Sequence, residues 1–193
     1  MAALPSYAYL KTVISTLSSE QSAPLMISEP YEVVGIILMG SAFLFVNGQA
    51  LVAEHADILG NFSGIRIAVM NQDPAQIEMM SDSVGTSTVG TSIAEMYSKF
   101  NAGLVDVTYG PAVVYEAMEL YKGMAKKGGV VRFSLAQLTL QIMIRKTEFP
   151  EFFGKVSREF ALGQFDEAVA RAKNYEDRIG PQWWINISDK NHD

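Results

Sequence analysis

Cysteine is missing from the 193 residues, which excludes disulfide scaffolds, thiolate zinc sites and cysteine nucleophiles. A chain without thiols suits either redox compartment. Histidine is nearly as scarce, with His55 in a helical stretch and His192 in the tail. A Ser-His-Asp set could draw only on His55, and no Gly-x-Ser-x-Gly elbow is present, so hydrolase chemistry has little footing. Positive charge is also in short supply: 15 Lys and Arg face 21 Asp and Glu, for a net charge of −6. That balance argues against a broad phosphate-contacting surface, and nucleic acid is not an expected partner.

Long apolar runs are lacking too. The uncharged stretch from Val33 to Ala53 is densely apolar only as far as Val46 and holds Gly35, Gly40 and Ser41. It falls short of the roughly 20 apolar residues a spanning helix needs. Two buried strands, about Val33 to Leu38 and Ala42 to Val46, are expected instead, and the chain is not expected to span a membrane. Met1 to Leu10 has neither a basic region nor an apolar core ending in small residues, so the chain as written shows no secretory signal. What is present is apolar material in quantity. At 49% hydrophobic and 19% charged, the chain can form one large domain or two small lobes, each with a core.

Periodicity orders the rest. Residues 5 to 30 read as helical, with Tyr9, Leu10, Val13, Ile14 and Leu17 on one face and a break at Glu29-Pro30. Asn47 to Leu59 carries a looser helical pattern. The β-rich run Ile65 to Met70 leads into Asn71-Gln72-Asp73-Pro74-Ala75-Gln76, where Asp73 can cap, Pro74 suits the first helical turn and Gln76 closes a capping box. That helix should reach Val84. A strand or extended loop follows at Thr86 to Gly90, then a second capping box in Ser92-Ile93-Ala94-Glu95 with an apolar stripe of Ile93, Met96, Tyr97 and Phe100. Leu104 to Tyr109 reads as a strand, and Gly110-Pro111 opens a helix carrying Val114, Met118 and Tyr121. Alternation of strand and helix predicts an α/β fold with a parallel sheet and right-handed crossovers. Strands are expected again at Val130 to Phe133 and Leu138 to Ile144, then helices at about Pro150 to Leu162 and Gln164 to Ile179.

Ligands of such sheets bind beyond the carboxyl ends of the strands, where loops meet helix N-termini. Three loops meet that description: Asn71-Gln72-Asp73, Gly90-Thr91-Ser92 and Thr108-Tyr109-Gly110. They offer amides, hydroxyls, a carboxylate and a phenol, which suits a polar small molecule. Asp73 and Ser92 can be explained as helix caps alone, whereas Gln72 and Tyr109 have no such structural role. With Arg132 and Gln137 from the later strand region, the candidate ligand-binding residues are Asn71, Gln72, Asp73, Thr91, Ser92, Tyr109, Arg132 and Gln137. Gly85 to Ser92 has the glycine spacing of a P-loop, but Thr91 stands where the phosphate-neutralising Lys belongs. Glu78, Glu95, Asp106 and Glu116 lack metal-like spacing, so neither metal nor cofactor is expected. Met79, Met80 and Met96 fit core packing, and Trp183-Trp184 is expected to pin the C-terminal helix.

Several of these segments carry a family resemblance. The run Phe62 to Val69, then Ala94-Glu95-Met96-Tyr97 and Gly103-Leu104-Val105-Asp106, resembles the second lobe of DctP-type substrate-binding proteins of tripartite ATP-independent periplasmic (TRAP) transporters. Their pattern is a Leu-Lys-Gly-x-Lys-x-Arg-Val strand, a Ser-Glu-x-Tyr helix and a Val-Asp strand start. Ala3 to Tyr7, Pro30 to Val33, Leu44 to Asn47, Glu119 to Gly123 and Lys127 to Phe133 are similar to an AdeT-like subfamily of solute-binding proteins. Some members of that subfamily are labelled resistance-nodulation-division (RND) efflux pumps involved in aminoglycoside resistance. The resemblance covers about residues 3 to 187. It implies a bilobed, periplasmic-binding-protein-like (type II) fold, a periplasmic location, and capture of a polar solute in an interlobe cleft for a membrane transporter, without catalysis. It further implies that residues 1–62 are the remainder of lobe I with a hinge strand, 63–128 a complete lobe II, 129–187 return hinge strands and C-terminal helices, and 188–193 a tail.

The resemblance breaks in two places. The family's carboxylate-clamping arginine aligns with Ala68, while Arg66 lies two residues earlier, and Gly110 replaces the polar residue before the loop proline Pro111. A neutral, cationic or larger ligand is therefore expected in place of a simple organic acid. Relatives also begin with a signal peptide and a strand-helix-strand unit that this sequence enters after, so an incomplete first lobe with unpaired strand edges and an uncovered apolar face is expected. Two other functions stand beside solute capture. One is an accessory partnered with efflux components, since a chain with no spanning helix is not the pump itself. The other is a small α/β enzyme with Asp73 or Glu95 as base.

Overall fold

The structure is a computed structural model and describes residues 6–48, 64–71, 77–78 and 87–186. The helix expected after Asn47, the capping box around Asp73 and most of the helix after it lie outside the described residues. By chain contacts the protein divides into two compact units: residues 1–41 with 134–176, and residues 42–133 with 177–193.

The first unit opens with α1, Tyr7–Ser18, capped by the Ser6 hydroxyl, which accepts from the Tyr9 N–H. The helix is shorter than its apolar pattern predicts, because Ser19 takes an extended conformation and Glu20–Met26 winds as a 3-10 helix around Pro24. The buried face also differs from the expected one. Tyr9 is 63% exposed, and the helix instead packs Tyr7, Leu10, Ile14 and Leu17 against Met26, Ile36, Leu38 and Phe165. A two-residue strand β1, Ile27–Ser28, pairs with the start of β2, Tyr31–Val46. The predicted pair of strands is thus a single one of 16 residues. Gly40 keeps it continuous by taking φ 113°, a conformation that L side chains rarely adopt, and Ala172 lies close beside it. Later residues add the edge strand β7, Ala136–Arg145, which pairs with β2, and helix α5, Phe153–Gly163. The final helix, Phe165–Arg178, begins in this unit.

Several large apolar side chains of this unit face solvent, Leu140 and Met143 on β7 and Phe152, Val156 and Phe160 on and beside α5. Its most costly polar feature is inside. Arg158 and Glu32 are both buried and joined at 2.6 Å, and the same guanidinium donates to the Val33 carbonyl at 3.1 Å. Gly154 lies against the Glu32 carboxylate with no room for a Cβ.

The second unit is built on a sheet in the order β4-β3-β5-β2-β6-β8. Its parallel part is β3, Arg66–Met70, flanked by β4, Ser87–Thr91, and β5, Val107–Pro111. Residues Ala42 to Val46 of β2 run antiparallel to β5, and β6, Gly129–Val131, pairs with the end of β2 and with β8, Trp184–Ile185. Helix α2, Ile93–Asn101, buries Met96 and Phe100 and leaves Ile93 exposed. The helix predicted from Gly110 begins later, because strand β5 extends through Pro111. It is also split into α3, Val113–Ala117, and α4, Tyr121–Met124, by a turn in which Glu119 takes φ 51°. Trp184 packs edge-on against Phe43 at 5.3 Å and donates its indole N–H to Ile179 O, so it ties the chain end to this unit.

Replacing Arg158 with Met strands the Glu32 carboxylate in the first unit's interior. Urea unfolding should show a loss of roughly 3–5 kcal/mol. Adding Glu32→Gln to that variant should recover part of the loss, since the buried charge is then gone.

Candidate functional site

The three parallel strands of the second unit end side by side, and the polar residues predicted for a ligand gather there: Asn71 and Ser92 just beyond the strands, but Thr91, Tyr109 and Gly110 within β4 and β5, where loops were expected, because the ladders run on through Thr91 and Pro111. Asn71 follows β3, and its backbone N–H donates to Thr91 O at 3.0 Å, which couples the ends of β3 and β4. Its side-chain oxygen lies directly on Gly90, where any Cβ would displace it. A second glycine does the same service on β5. The Tyr97 hydroxyl sits over Gly110, and a Cβ there would lie 2.6 Å from it. Two backbone positions without side chains thus make space for an amide and a phenol.

Tyr97 stands in this cluster, although its spacing in the sequence puts it in an apolar stripe. Burial, with a smaller contribution from neighbouring Tyr109, pushes its phenol up to about 12, so it stays neutral at ordinary pH. The signal that could have separated it from Met96 and Phe100 is its hydroxyl, which needs a polar setting when the ring is buried. Thr91 is buried and its hydroxyl donates to Ser92 O, so it faces the fold more than a ligand. Ser92 is the N-cap of α2 through its backbone carbonyl, which accepts from Glu95 and Met96. Its hydroxyl makes no capping bond, so the predicted side-chain box is not formed. Gln72 and Asp73 lie outside the described residues.

Cations at this end are already engaged. The Lys99 ammonium donates to Gly90 O at 3.2 Å and lies 3.5 Å from Glu95. Arg66 starts β3 at the opposite end, where its Nε and Nη2 reach Asp106 Oδ2 and Oδ1 at 2.9 and 2.7 Å, and Nη2 also reaches Gly103 O. Ala68, two residues on, is fully buried. Arg132 follows β6, which runs antiparallel to β2 as β5 does, with Val130 opposite Phe45 and Thr108 opposite the same residue, so it leaves the sheet at the same end as Tyr109 and Gly110. Its guanidinium lies 4.7 Å over the Trp184 ring, and its backbone N–H donates to Ile185 O.

Gln137 is in the first unit and heads a different network. Its Nε2 donates to Ser41 Oγ at 3.0 Å. The Tyr7 hydroxyl accepts from the Ser41 N–H and donates to Glu176 Oε1 at 2.9 Å. Burial, offset in part by Ser41, raises the Tyr7 phenol above its ordinary value. The Gln137 carbonyl oxygen is buried and has no hydrogen-bond partner among the described residues. Among the described residues no group of acidic or histidine side chains could hold a metal ion, and no helix is long and apolar enough to cross a membrane.

A sequence model of the family described as "Solute-binding protein AdeT 1/2" matches residues 1–193. Two curated relatives come from Acinetobacter baumannii. One, named a probable solute-binding protein AdeT1, is 34% identical over 92% of this chain and 58% of its own length. The other, named a probable solute-binding protein AdeT2, is 22% identical over 96% of this chain and 75% of its own. This chain therefore spans little more than half the length of the first. Among solved structures, a TRAP periplasmic solute-binding protein from Sulfitobacter with bound β-D-galacturonate aligns with TM-score 0.72 at 14% identity, over 98% of this chain and 62% of that one. One from Haemophilus influenzae with bound L-gulonate gives 0.74 at 11% identity, over 96% and 60%. One from Pseudomonas aeruginosa with bound L-malate gives 0.73 at 13%, over 99% and 70%. The likeness establishes the fold, the bilobed α/β architecture of TRAP solute-binding proteins.

The Arg66–Asp106 contact makes a pH signature. Hydrogen bonds from the Arg66 side chain, against the opposing effect of burial, hold the Asp106 carboxyl below its ordinary value. A depressed folded-state value contributes stability that is fully present above about pH 4 and lost as pH falls through the folded value. Asp106→Asn should lower stability at neutral pH and flatten the acid limb of a stability-versus-pH curve measured by urea unfolding.

Proposed function

We propose that this chain, which belongs to the solute-binding protein AdeT 1/2 family, captures a polar small molecule outside the cytoplasm and delivers it to a membrane transporter without transforming it. The observation that carries this reading is the cluster at the ends of β3, β4 and β5, where Asn71 and Tyr97 fit into the space left by Gly90 and Gly110 beside Tyr109. Convergent neutral donors and acceptors can hold a polar solute, but they supply no activated base or nucleophile. In this reading residues 63–128 act as the second lobe.

The ligand class follows from charge. Galacturonate, gulonate and malate, held by the neighbours in structure, are carboxylates. Here Arg66 is engaged by Asp106, Lys99 by Gly90 and Glu95, and Arg132 by the Trp184 ring, so each of these described cations has an interaction to give up before it pairs with an acid. The loop residues outside the described set, 72–76, contain no Lys or Arg, and they include Asp73. A neutral or cationic solute rich in hydroxyl or amino groups fits this chemistry. An accessory role in aminoglycoside efflux rests on the subfamily's label, and no contact among the described residues favours it over simple capture.

Isothermal titration with a panel of neutral sugars, amino sugars, malate and galacturonate tests the reading. A neutral or amino sugar should bind best, and Tyr97→Phe should weaken it about tenfold, the size of one lost hydrogen bond. Tighter binding of the acids would return the ligand to the carboxylate class. Turnover of any bound compound would sink the carrier reading itself.

A further inference from the structure

The opposite end of the second unit's sheet, where β3 begins at Arg66 and β5 is entered through Gly103, holds a separate feature. It is a recess of about 510 Å³, within the size range of small-molecule sites, lined chiefly by Lys122, Lys126, Lys127, Asn47, Asn101 and Ala125. In a chain whose acids outnumber its bases, no Asp or Glu among the described residues lines it. Lys122 is paired with Glu119 at 2.6 Å, whereas Lys126 and Lys127 form no ion pair among the described residues.

The frame that presents these lysines is held on both sides. Asn101 donates to Met118 O at 2.9 Å and accepts from the Gly123 N–H at 3.2 Å, which fixes the loop before α4 onto the end of α2. Directly after α4, Ala125 takes φ 53° and ψ −153°, a conformation that an L residue adopts only where its surroundings impose it. The lysine pair follows at once, and Gly128 then packs against the carbonyls of Met124 and Val46 with no room for a side chain. A strained residue on one side and a closely packed glycine on the other set the path of Lys126 and Lys127.

We propose that this recess is a second binding site, for a small anion that carries more than one phosphate or carboxylate group. Three lysines line one hollow, two of them without an ion pair among the described residues, which matches a multiply charged ligand better than a single charge. The competing account is that the lysines only offset the partial negative charge at the C-terminal ends of α2 and α4. The two accounts separate cleanly. Offsetting a helix end predicts that neutralising Lys126 and Lys127 lowers stability, with no anion bound before or after.

The probe is inorganic pyrophosphate, titrated into the full chain at low ionic strength by calorimetry, with amide shifts of Gly48, Gly103 and Gly123 followed by NMR. Wild type should bind, and the double variant Lys126→Gln, Lys127→Gln should bind at least roughly fivefold more weakly. A charge-matched control, Lys155→Gln with Lys173→Gln, should bind as wild type does. Absence of binding to wild type, equal binding by the Lys126, Lys127 variant, or an equal loss in the control would each overturn the site. Thermal unfolding of every variant shows that the comparison is made between folded proteins.

Discussion

One carboxylate organises the second unit. Asp106 accepts from the Arg66 backbone N–H, the Arg66 guanidinium and the Asn47 side chain, while its own backbone donates to Arg66 O and accepts from the Asn47 N–H. Three strands meet there: the end of β2, the start of β3 and the entry to β5. A charged acceptor satisfied by several donors is worth more than a neutral hydrogen bond, and its geometry is more demanding. Register follows from it. With the starts of β3 and β5 tied to one side chain, their far ends, which carry Asn71, Tyr109 and Gly110, emerge at fixed positions on the sheet's other end.

The same contact shapes the chemistry of the site. An arginine held in a fork by Asp106 and also bound to Gly103 O has its donors committed, and it lies at the end of β3 away from the ligand loops. The structural role of Arg66 and its distance from the far end of β3 are thus one fact seen from two ends of a strand. Moving a guanidinium to the Ala68 position would place a charged group where the side chain is fully buried, so the change would require the neighbouring core to be rebuilt as well.

Much of this was legible in the sequence, and the misses have physical causes. Strands β3 and β5 and helix α2 were visible because half-buried strands and amphipathic helices impose periods of two and 3.6 on their residues. The end of the sheet at which their polar residues gather followed from topology, but Gly90-Thr91 and Thr108-Tyr109-Gly110 were read as loops and are strand residues, because glycine and proline there look like turn signals. Strand β2 was read as two because Gly40 and Ser41 look like a turn, and only the structure reveals that Gly40 uses φ 113° to continue the strand. Strand β5 was ended too early because Pro111 usually opens a helix, yet residue 111 closes the ladder opposite Ala42. Tyr97 was hidden by its own hydrophobicity. Nothing in the spacing Ile93, Met96, Tyr97, Phe100 says that a glycine on a distant strand leaves room for one hydroxyl among them. Gln137 shows the reverse case: a polar residue in a strand was noticed, but the Tyr7–Ser41–Glu176 network that accompanies it is assembled from positions up to 169 residues apart.

Neutral sites discriminate by what they leave unpaired. The Gln137 carbonyl oxygen in the first unit is buried without a donor among the described residues, and such a group costs about 1–3 kcal/mol until one arrives. In the second unit Tyr97 keeps its phenol proton over the ordinary pH range, so its hydroxyl can donate as well as accept. A ligand lacking a matching hydroxyl or amine would strand these groups in a dry setting, a penalty that grows with burial and not with charge. Discrimination of this kind can be strong, since a site built to bind a hydroxyl rejects the analogue without it far more sharply than an apolar pocket rejects an extra methylene. A binding module can therefore be selective without an arginine clamp, provided that its amides and phenols are held as rigidly as Gly90, Gly110 and the Asp106 network hold them.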